Sequence, residues 1–389
     1  MNILFVASDN YAASGAFLSM VQLCAILKDK YHHNVHVVIQ REGDGQKRLE
    51  EKGIPYHFIR TYNWISRLSE YATVKNRLER TCKAALNCCQ EKEYRKLFRE
   101  LDVDIVHMNT SWTYLAAQVA HKMGIPYVWH IREFLEEDQK SRMWNREKAY
   151  KLIEQASCVI AISDSILKKY RQLIPNANLI KVYNGIDVSK FYVENHSLFS
   201  QDTAQLLIVG SISESKGQEQ LIEACAAIYR KGFRNFHLKI VGTGKEEYVN
   251  HIKQKVASFG IDHMVTFCGY RTDAETFYRA ADVTFVCSKS EAFGRVTVEA
   301  MLSGALIIGA DSAATVELVS DMKTGILYSS GDSESLAEKI VWALEHPAIA
   351  RQIAKEGQSY MLQNMTAERN AQRVNEIYDQ IQTQNAMEQ

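Results

Sequence analysis

Two glutamates eight residues apart, Glu291 and Glu299, enclose Phe293-Gly294-Arg295-Val296 within the run SEAFGRVTVEAM. Ionised carboxylates accept several hydrogen bonds at once, so such a pair can hold the hydroxyls of a sugar. If a helix starts near Phe293 or Gly294, the amides of Gly294, Arg295 and Val296 face outward as anion donors, and Gly294 lets a diphosphate come close. The same spacing also arises where one glutamate caps a helix and the other sits on its exposed face. A second basic point, Lys216-Gly217 in GSISESKGQEQ, sets a lysine at a helix start, beside an end that favours anions. A Lys-Gly pair is common and by itself shows little. Asp102-Val103-Asp104 has the Asp-x-Asp spacing of a metal-diphosphate site, but it precedes the apolar run DIVHM instead of following it. It reads as a turn leading into a strand, and no metal is expected.

These residues need elements to hold them. Short β-rich apolar runs alternate with helix-length segments: NILFVA, VHVVIQ, DIVHM, PYVWHI and CVIAIS, then LLIVGS, FHLKIVG, VTFCG, DVTFVCS and ALIIGA. Apolar runs without alternation point to parallel strands buried on both faces, and 389 residues suit two cores. The expected fold class is α/β, with two doubly wound Rossmann-like domains over 1–190 and 191–357. In such sheets ligands bind beyond the carboxyl ends of the strands. Lys216, after LLIVGS, and Glu291, after DVTFVCS, both fall there. Periodicity fades after YNGID, which places a linker near 188–203. Residues 64–100 read as a long, charged, mostly helical insertion carrying Trp64, Ile65, Leu68, Tyr71 and Val74, with ten Lys+Arg between Arg60 and Arg99. That is either an amphipathic element facing a membrane or a core-facing helix pair with a solvated basic side. Residues 358–382 read as one helix.

With 46% hydrophobic and 24% charged residues and four prolines, the composition is that of a packed globular protein. MNILFVASDN reads as a buried first strand, not a signal peptide, and no run approaches the roughly 18 to 20 apolar residues of a spanning helix. The expectation is a cytoplasmic protein, with association to the inner face of the membrane open. Eight cysteines without a CxxC pair suit reduced thiols, not structural zinc. The zero net charge hides 28 Lys+Arg against 21 Asp+Glu in residues 1–190 and 18 against 25 in the rest. A basic first half suits a phospholipid surface or a diphosphate-linked acceptor, and equally an ordinary solvated surface. No nucleic-acid partner is expected. No GxGxxG follows the first strand, and Val241-Gly242-Thr243-Gly244 lacks the third glycine, which argues against a dinucleotide-dependent oxidoreductase.

In order, IVGSISESKG, KIVGTGKEEY, VTFCGY, ADVTFVCSKSEAFGRVTVEAMLSGALIIGAD and VELVSDMKTGILYSSGDSESLAEKI make residues 205–330 resemble the C-terminal domain of the retaining GT-B glycosyltransferases of family 4. The first half is similar at fewer points: the Ser14-Gly15-Ala16 loop, DIVHMN, VWHIREF, AISDSI and VYNGID. The resemblance implies two domains facing each other across a cleft, with the C-terminal helix packing back on the first. It implies a nucleoside diphosphate sugar as co-substrate, UDP-sugar favoured, and a hexosyl transfer to a glycan or lipid-linked acceptor in cell-surface polysaccharide synthesis. By the same resemblance Glu299 holds the ribose and Glu291 the sugar. The Phe293–Val296 backbone and Lys216 hold the diphosphate, Tyr270 and Arg271 lie at the base, and Gly15 approaches the diphosphate. His130 matches the histidine near the transferred sugar, its alternative being a core histidine bonded to backbone. Ser14, Asn109 and Arg132 are the acceptor-side candidates. Lys216 and the helix-end amides then stabilise the leaving group without a metal, and retention calls for no protein nucleophile. Two positions depart from the pattern: Ser211 stands where arginine is usual, with Arg295 or Arg132 as substitutes, and Ala313-Ala314 stand where paired glycines are frequent. A sugar-nucleotide epimerase and a non-catalytic assembly partner on the same fold remain as alternatives.

Overall fold

A computed structural model of the chain describes residues 1–388. It falls into two compact units, one formed by Met1–Gly185 with the segment from Ala367 onward, the other by Ile186–Thr366. The strands, in chain order, are β1 Asn2–Val6, β2 Asn34–Ile39, β3 Tyr56–Phe58, β4 Ile65–Arg67, β5 Ile105–Met108, β6 Tyr127–Ile131, β7 Ser141–Met143, β8 Cys158–Ala161 and β9 Leu179–Lys181. Those of the second unit are β10 Ala204–Val209, β11 Phe236–Val241, β12 Val265–Gly269, β13 Val283–Val286, β14 Leu306–Ala310 and β15 Ile326–Tyr328.

The first unit holds a seven-stranded parallel sheet in the order β3-β2-β1-β5-β6-β8-β9, the second a six-stranded parallel sheet in the order β12-β11-β10-β13-β14-β15. Both are the doubly wound α/β sheets expected. β5, β6, β8, β13 and β14 are buried at every residue, which is why their sequences run apolar without alternation. Strand order reverses between β1 and β5 in one sheet and between β10 and β13 in the other. At such points the flanking helices diverge and leave a crevice beyond the carboxyl ends.

Three segments differ from the sequence reading. Residues 64–100 are not one amphipathic insertion. Trp64 and Ile65 are buried, and Ile65–Arg67 pairs antiparallel with Ser141–Met143. Trp64 stacks 4.7 Å from Tyr114 and 5.9 Å from Trp129, and its indole N–H donates to the Ser111 carbonyl at 2.6 Å. The helix proper is Val74–Glu100, capped by Thr73, whose hydroxyl accepts from the Asn76 amide at 3.2 Å. It buries Asn87, Tyr94, Leu97 and Phe98 and leaves Val74, Leu78 and Leu86 exposed.

The expected helix over 358–382 is two helices, Pro347–Asn364 and Ala367–Glu388. Met365 and Thr366 part them, because the Met365 carbonyl accepts from the Ile186 amide at 3.0 Å and Thr366 forms a bridge with Ile186. The first helix stays with the second unit, where the Gln358 amide donates to the carbonyls of Val193 and Leu302, both at 2.8 Å. The second presents Ala371, Val374, Ile377, Tyr378 and Ile381 to the first unit's core at helical spacing. Nor is 188–203 a loose linker. Leu198 is buried, the His196 ring meets the Ser303 carbonyl at 2.7 Å, and the Phe199 amide donates to the Asp282 carboxylate. The chain passes between units at Gly185/Ile186 and at Thr366/Ala367.

Candidate functional site

In the second unit the strand-order reversal brings two loops together. The loop after β10 turns through the short 3-10 helix Glu214–Lys216 into the helix Gln218–Arg230 at Gly217, where φ is +70°. A Cβ on Gly217 would lie 2.4 Å from the carbonyl oxygen of Cys287, at the exit of β13. Only glycine lets the loops approach this closely. Gln218 is buried and ties its own loop: its side chain donates to the Ser211 carbonyl at 2.9 Å and accepts from the Ser213 amide at 3.3 Å. Across the gap Lys216 Nζ lies 2.6 Å from Glu291 Oε1, with each side chain about a quarter exposed or less.

The helix after β13 is Arg295–Leu302, and Gly294 caps it in the left-handed region, at φ +84° and ψ +56°. The amides of its first turn have no carbonyl one turn back within the helix. Glu299 lies one turn inside. Its Oε1 is 3.0 Å from an Arg295 guanidinium nitrogen, and its Oε2 accepts from the Tyr278 hydroxyl at 3.2 Å. Burial pushes the Glu299 carboxyl up from the usual range, while Arg295 and Tyr278 pull it back. The loop after β14 closes this side. The Ala314 amide donates to the Glu291 carbonyl at 3.2 Å, and Ser312 Oγ donates to the Ser288 carbonyl at 3.1 Å. Ala313 holds φ +46°, a conformation that suits glycine better than alanine.

Not every candidate gathers here in the expected way. Arg295, expected with Arg132 as a substitute for the arginine usual at Ser211, donates from one guanidinium nitrogen to Glu299. Arg271 forms a two-pronged pair with Asp273, at 2.9 and 3.0 Å, beside an exposed Tyr270. Phe293 is buried, so its side chain packs the turn.

In the first unit Ser14 caps the helix Gly15–Asp29, accepting from the Phe17 amide at 3.4 Å and donating to Asp9 at 3.0 Å. It borders a cavity of about 1100 Å³ whose wall includes Asp9, Arg41, Arg60, Tyr62, Trp112 and Arg132. Burial raises the Asp9 carboxyl from its usual value, against hydrogen bonds from the Tyr11 amide and Ser14. Asn109, an expected acceptor contact, is buried; its amide donates to the Ala16 carbonyl at 3.1 Å and its Oδ1 accepts from Arg132 Nε at 3.0 Å. That bond helps hold Arg132, whose Nη1 donates to Asn184 Oδ1. His130 is fully buried at the end of β6, bonded to other side chains and not to backbone: Nδ1 is 3.1 Å from His107 Nε2 and 3.1 Å from Arg132 Nη2. Burial, then the Arg132 charge, depresses both imidazoles well below the usual histidine range. Asp104 accepts from the Asn2 amide at 2.7 Å and so pins the start of β1, a structural task for the Asp-x-Asp pair.

The family description Glycosyltransferase Family 4 matches residues 14–190, and Glycosyl transferases group 1 matches residues 193–360. The chain is a GT-B glycosyltransferase. Among similar proteins is N-acetyl-alpha-D-glucosaminyl L-malate synthase of Bacillus anthracis, 24% identical over 58% of this chain and 60% of that protein. Another is the putative glycosyltransferase EpsD of Bacillus subtilis, 25% identical over 75% of this chain and 80% of EpsD. A third is the capsular polysaccharide biosynthesis glycosyltransferase CapM of Staphylococcus aureus, 26% identical over 52% and 56%. The matches to the first and third thus span less than two thirds of those proteins. A crystal structure of HepE from Anabaena in complex with UDP and glucose shares the fold, with a TM-score of 0.79 over 97% of this chain and 98% of that one, at 24% identity.

Sequence reasoning about this glycosyltransferase missed Tyr278, Gln218, Asp9 and the His107–Tyr378 pair. Tyr278 and Gln218 stand in otherwise ordinary helices, and nothing local marks them. The polar His107 inside the apolar run DIVHM was a legible signal, since a strand buried on both faces excludes histidine unless it is bonded.

Proposed function

We propose that this chain is a retaining hexosyltransferase that moves a sugar from a nucleoside diphosphate sugar, UDP-sugar favoured, to a hydroxyl of a glycan or lipid-linked acceptor in cell-surface polysaccharide synthesis. The observation that carries the reading is the convergence of Lys216, Glu291, the Gly294 turn and Glu299 at one sheet's reversal point. On this reading Glu299 takes the ribose hydroxyls and Glu291 the sugar, while Lys216 leaves Glu291 for the diphosphate. As the glycosidic bond breaks, negative charge grows on the leaving phosphate, where Lys216 and the first-turn amides stabilise it. No metal is called for. The loop after β12, with Tyr270 and Arg271, borders the base, Gly15 approaches the diphosphate, and His130 serves the sugar end. The walls of the first unit's cavity, with Tyr62 and Trp112 beside Arg41 and Arg60, suit a polyhydroxyl acceptor bearing negative charge. HepE binding UDP and glucose, and CapM acting in capsule synthesis, support the donor and the pathway class.

The test is a thermal-shift screen of nucleotide sugars followed by transfer assays on glycan and lipid-linked acceptors, with EDTA present. Stabilisation by UDP-sugars and acceptor-dependent release of UDP support the reading. Epimer formation without acceptor, or no nucleotide-sugar binding, would sink it. Exposed Val74, Leu78 and Leu86, on the helix that also carries Lys75 and Arg77, fit shallow contact with an anionic membrane at its inner face. Among the described residues no helix is long and apolar enough to cross one. The double substitution Val74→Asp/Leu78→Asp is expected to abolish co-sedimentation with anionic vesicles while leaving transfer to a soluble acceptor intact.

A further inference from the structure

Four buried side chains of the first unit fix one another's protons. Arg132 carries only donors. His130 Nδ1, 3.1 Å from Arg132 Nη2, must therefore accept and carry no proton. His107 Nε2 lies 3.1 Å from the same Nδ1 and, facing an acceptor, must donate. Its own Nδ1 is then unprotonated and accepts from the Tyr378 hydroxyl at 2.7 Å. Arg132 cannot turn away easily, because its Nε donates to the Asn109 carbonyl and Oδ1 and its Nη1 to Asn184. One arrangement fits all three contacts: Tyr378 O–H to His107 Nδ1, His107 Nε2–H to His130 Nδ1, Arg132 to the same atom. The single proton of a neutral His130 is left on Nε2. That atom is buried and has no hydrogen-bond partner among the described residues. A buried donor left unpaired is costly, and proteins keep one chiefly where a ligand or water completes it.

We infer that Tyr378, from the C-terminal helix, is a positioning residue: through His107 it orders the protons so that His130 presents Nε2–H to an oxygen of the bound glycosyl substrate. The imidazolium is excluded, since Nδ1–H would confront two donors. That the acceptor is a sugar oxygen rests on the function proposed above; the proton order does not. The C-terminal helix thus does more than cover the core. It reaches the substrate side through two rings.

The experiment is long-range ¹H–¹⁵N correlation on full-length protein labelled with ¹⁵N-histidine, with assignment by single substitution, alongside kinetics. His130 and His107 should both show the Nε2–H signature, and His130 Nε2 should shift on addition of donor sugar nucleotide. In Tyr378→Phe, His107 loses its fixed tautomer, the His130 signature becomes averaged, and kcat/KM falls about tenfold while the circular dichroism is retained. If Tyr378→Phe does not fold, the comparison of His107→Gln with His107→Leu replaces it. The amide keeps a donor on His130 Nδ1 and preserves the His130 signature, whereas leucine does not. A wild-type His130 protonated at Nδ1 overturns the proton order. Unchanged His130 signals and kinetics in Tyr378→Phe, or in both His107 variants, overturn the role of Tyr378. A wild type with the ordered signature that transfers no sugar overturns the glycosyltransferase reading alone.

Discussion

Lys216 and Glu291 are 75 residues apart in sequence and 2.6 Å apart in space, and the pair changes what substitutions at either position mean. A partly exposed ion pair contributes less than about 1 kcal/mol to stability, so losing it should move Tm little. Turnover is another matter. Lys216→Ala is expected to lower kcat by about 2 to 4 kcal/mol of transition-state stabilisation, with the donor KM nearly unchanged, if Lys216 meets charge that develops on the leaving phosphate. Glu299 calls for two variants. Alanine leaves the buried Tyr278 hydroxyl without its acceptor and removes one contact of Arg295, at about 1 to 3 kcal/mol in stability. Glutamine keeps an acceptor for Tyr278 but turns an NH2 donor toward Arg295 in place of the oxygen that accepts from it. Glu299→Gln should therefore weaken donor binding with a smaller fall in Tm than alanine causes, and titration calorimetry with denaturation separates the effects. Sequence displayed Lys216, Glu291 and Glu299 as types at spacings. It could not display their partners, because Tyr278 and Glu299 meet only once two helices pack.

Histidines give the residue scale its pH dependence. His107 and His130 are held below their ordinary value of 6.5 by burial and by Arg132. A depressed folded value means the unfolded chain binds protons more readily. The stability these groups confer is complete above 6.5 and is lost as pH falls through the window toward the folded values. Each group contributes a slope of about 1.4 kcal/mol per pH unit within that window. Unfolding measured from pH 7 to 5 should show the loss, and His107→Gln should halve this part of it.

At the scale of elements, the turn into Arg295–Leu302 depends on one residue's backbone. Gly294 at φ +84° would cost an alanine roughly 1 to 2 kcal/mol, and its Cβ would meet Thr297 Oγ1 at 3.1 Å. Gly294→Ala is expected to destabilise by about that amount and to weaken donor binding further by re-aiming the first turn. The reverse change applies at Ala313, where φ is +46°. Ala313→Gly should be neutral to stabilising by about 1 kcal/mol, since the strain relieved exceeds the added freedom of the unfolded chain. Chemical denaturation of both variants checks the opposite signs. Elements buried on both faces were the most legible part of the sequence, because an uninterrupted apolar run of strand length between helical segments has few places to go but the inside of a parallel sheet. Residues 64–67 were not. Three residues of edge pairing leave no periodicity, and the true partner, Ser141–Met143, lies some 75 positions on. The break at Met365–Thr366 was equally hidden, since MLQNMTAERN contains neither glycine nor proline and the interruption comes from the distant Ile186 amide.

At the scale of the whole molecule, the chain leaves its first unit at Gly185 and returns to it at Ala367, so that unit is discontinuous in sequence while the second is one stretch. The two should therefore respond differently to truncation. A chain ending at Thr366 loses Val374, Ile377, Tyr378 and Ile381 from the first unit's core, a row of fully or nearly fully buried side chains. At about 1.5 to 3 kcal/mol for each large apolar side chain, the loss is comparable to the entire stability of an ordinary domain. Calorimetry of the truncated chain is expected to lose the first unit's cooperative transition and to keep the second's. The second unit, Ile186–Thr366, carries every residue of the candidate donor site except Gly15 and His130, and its own six-stranded sheet. Produced alone it should still fold and be stabilised by UDP. Retention of both transitions in the truncated chain would show that the C-terminal helix is dispensable to the core it completes.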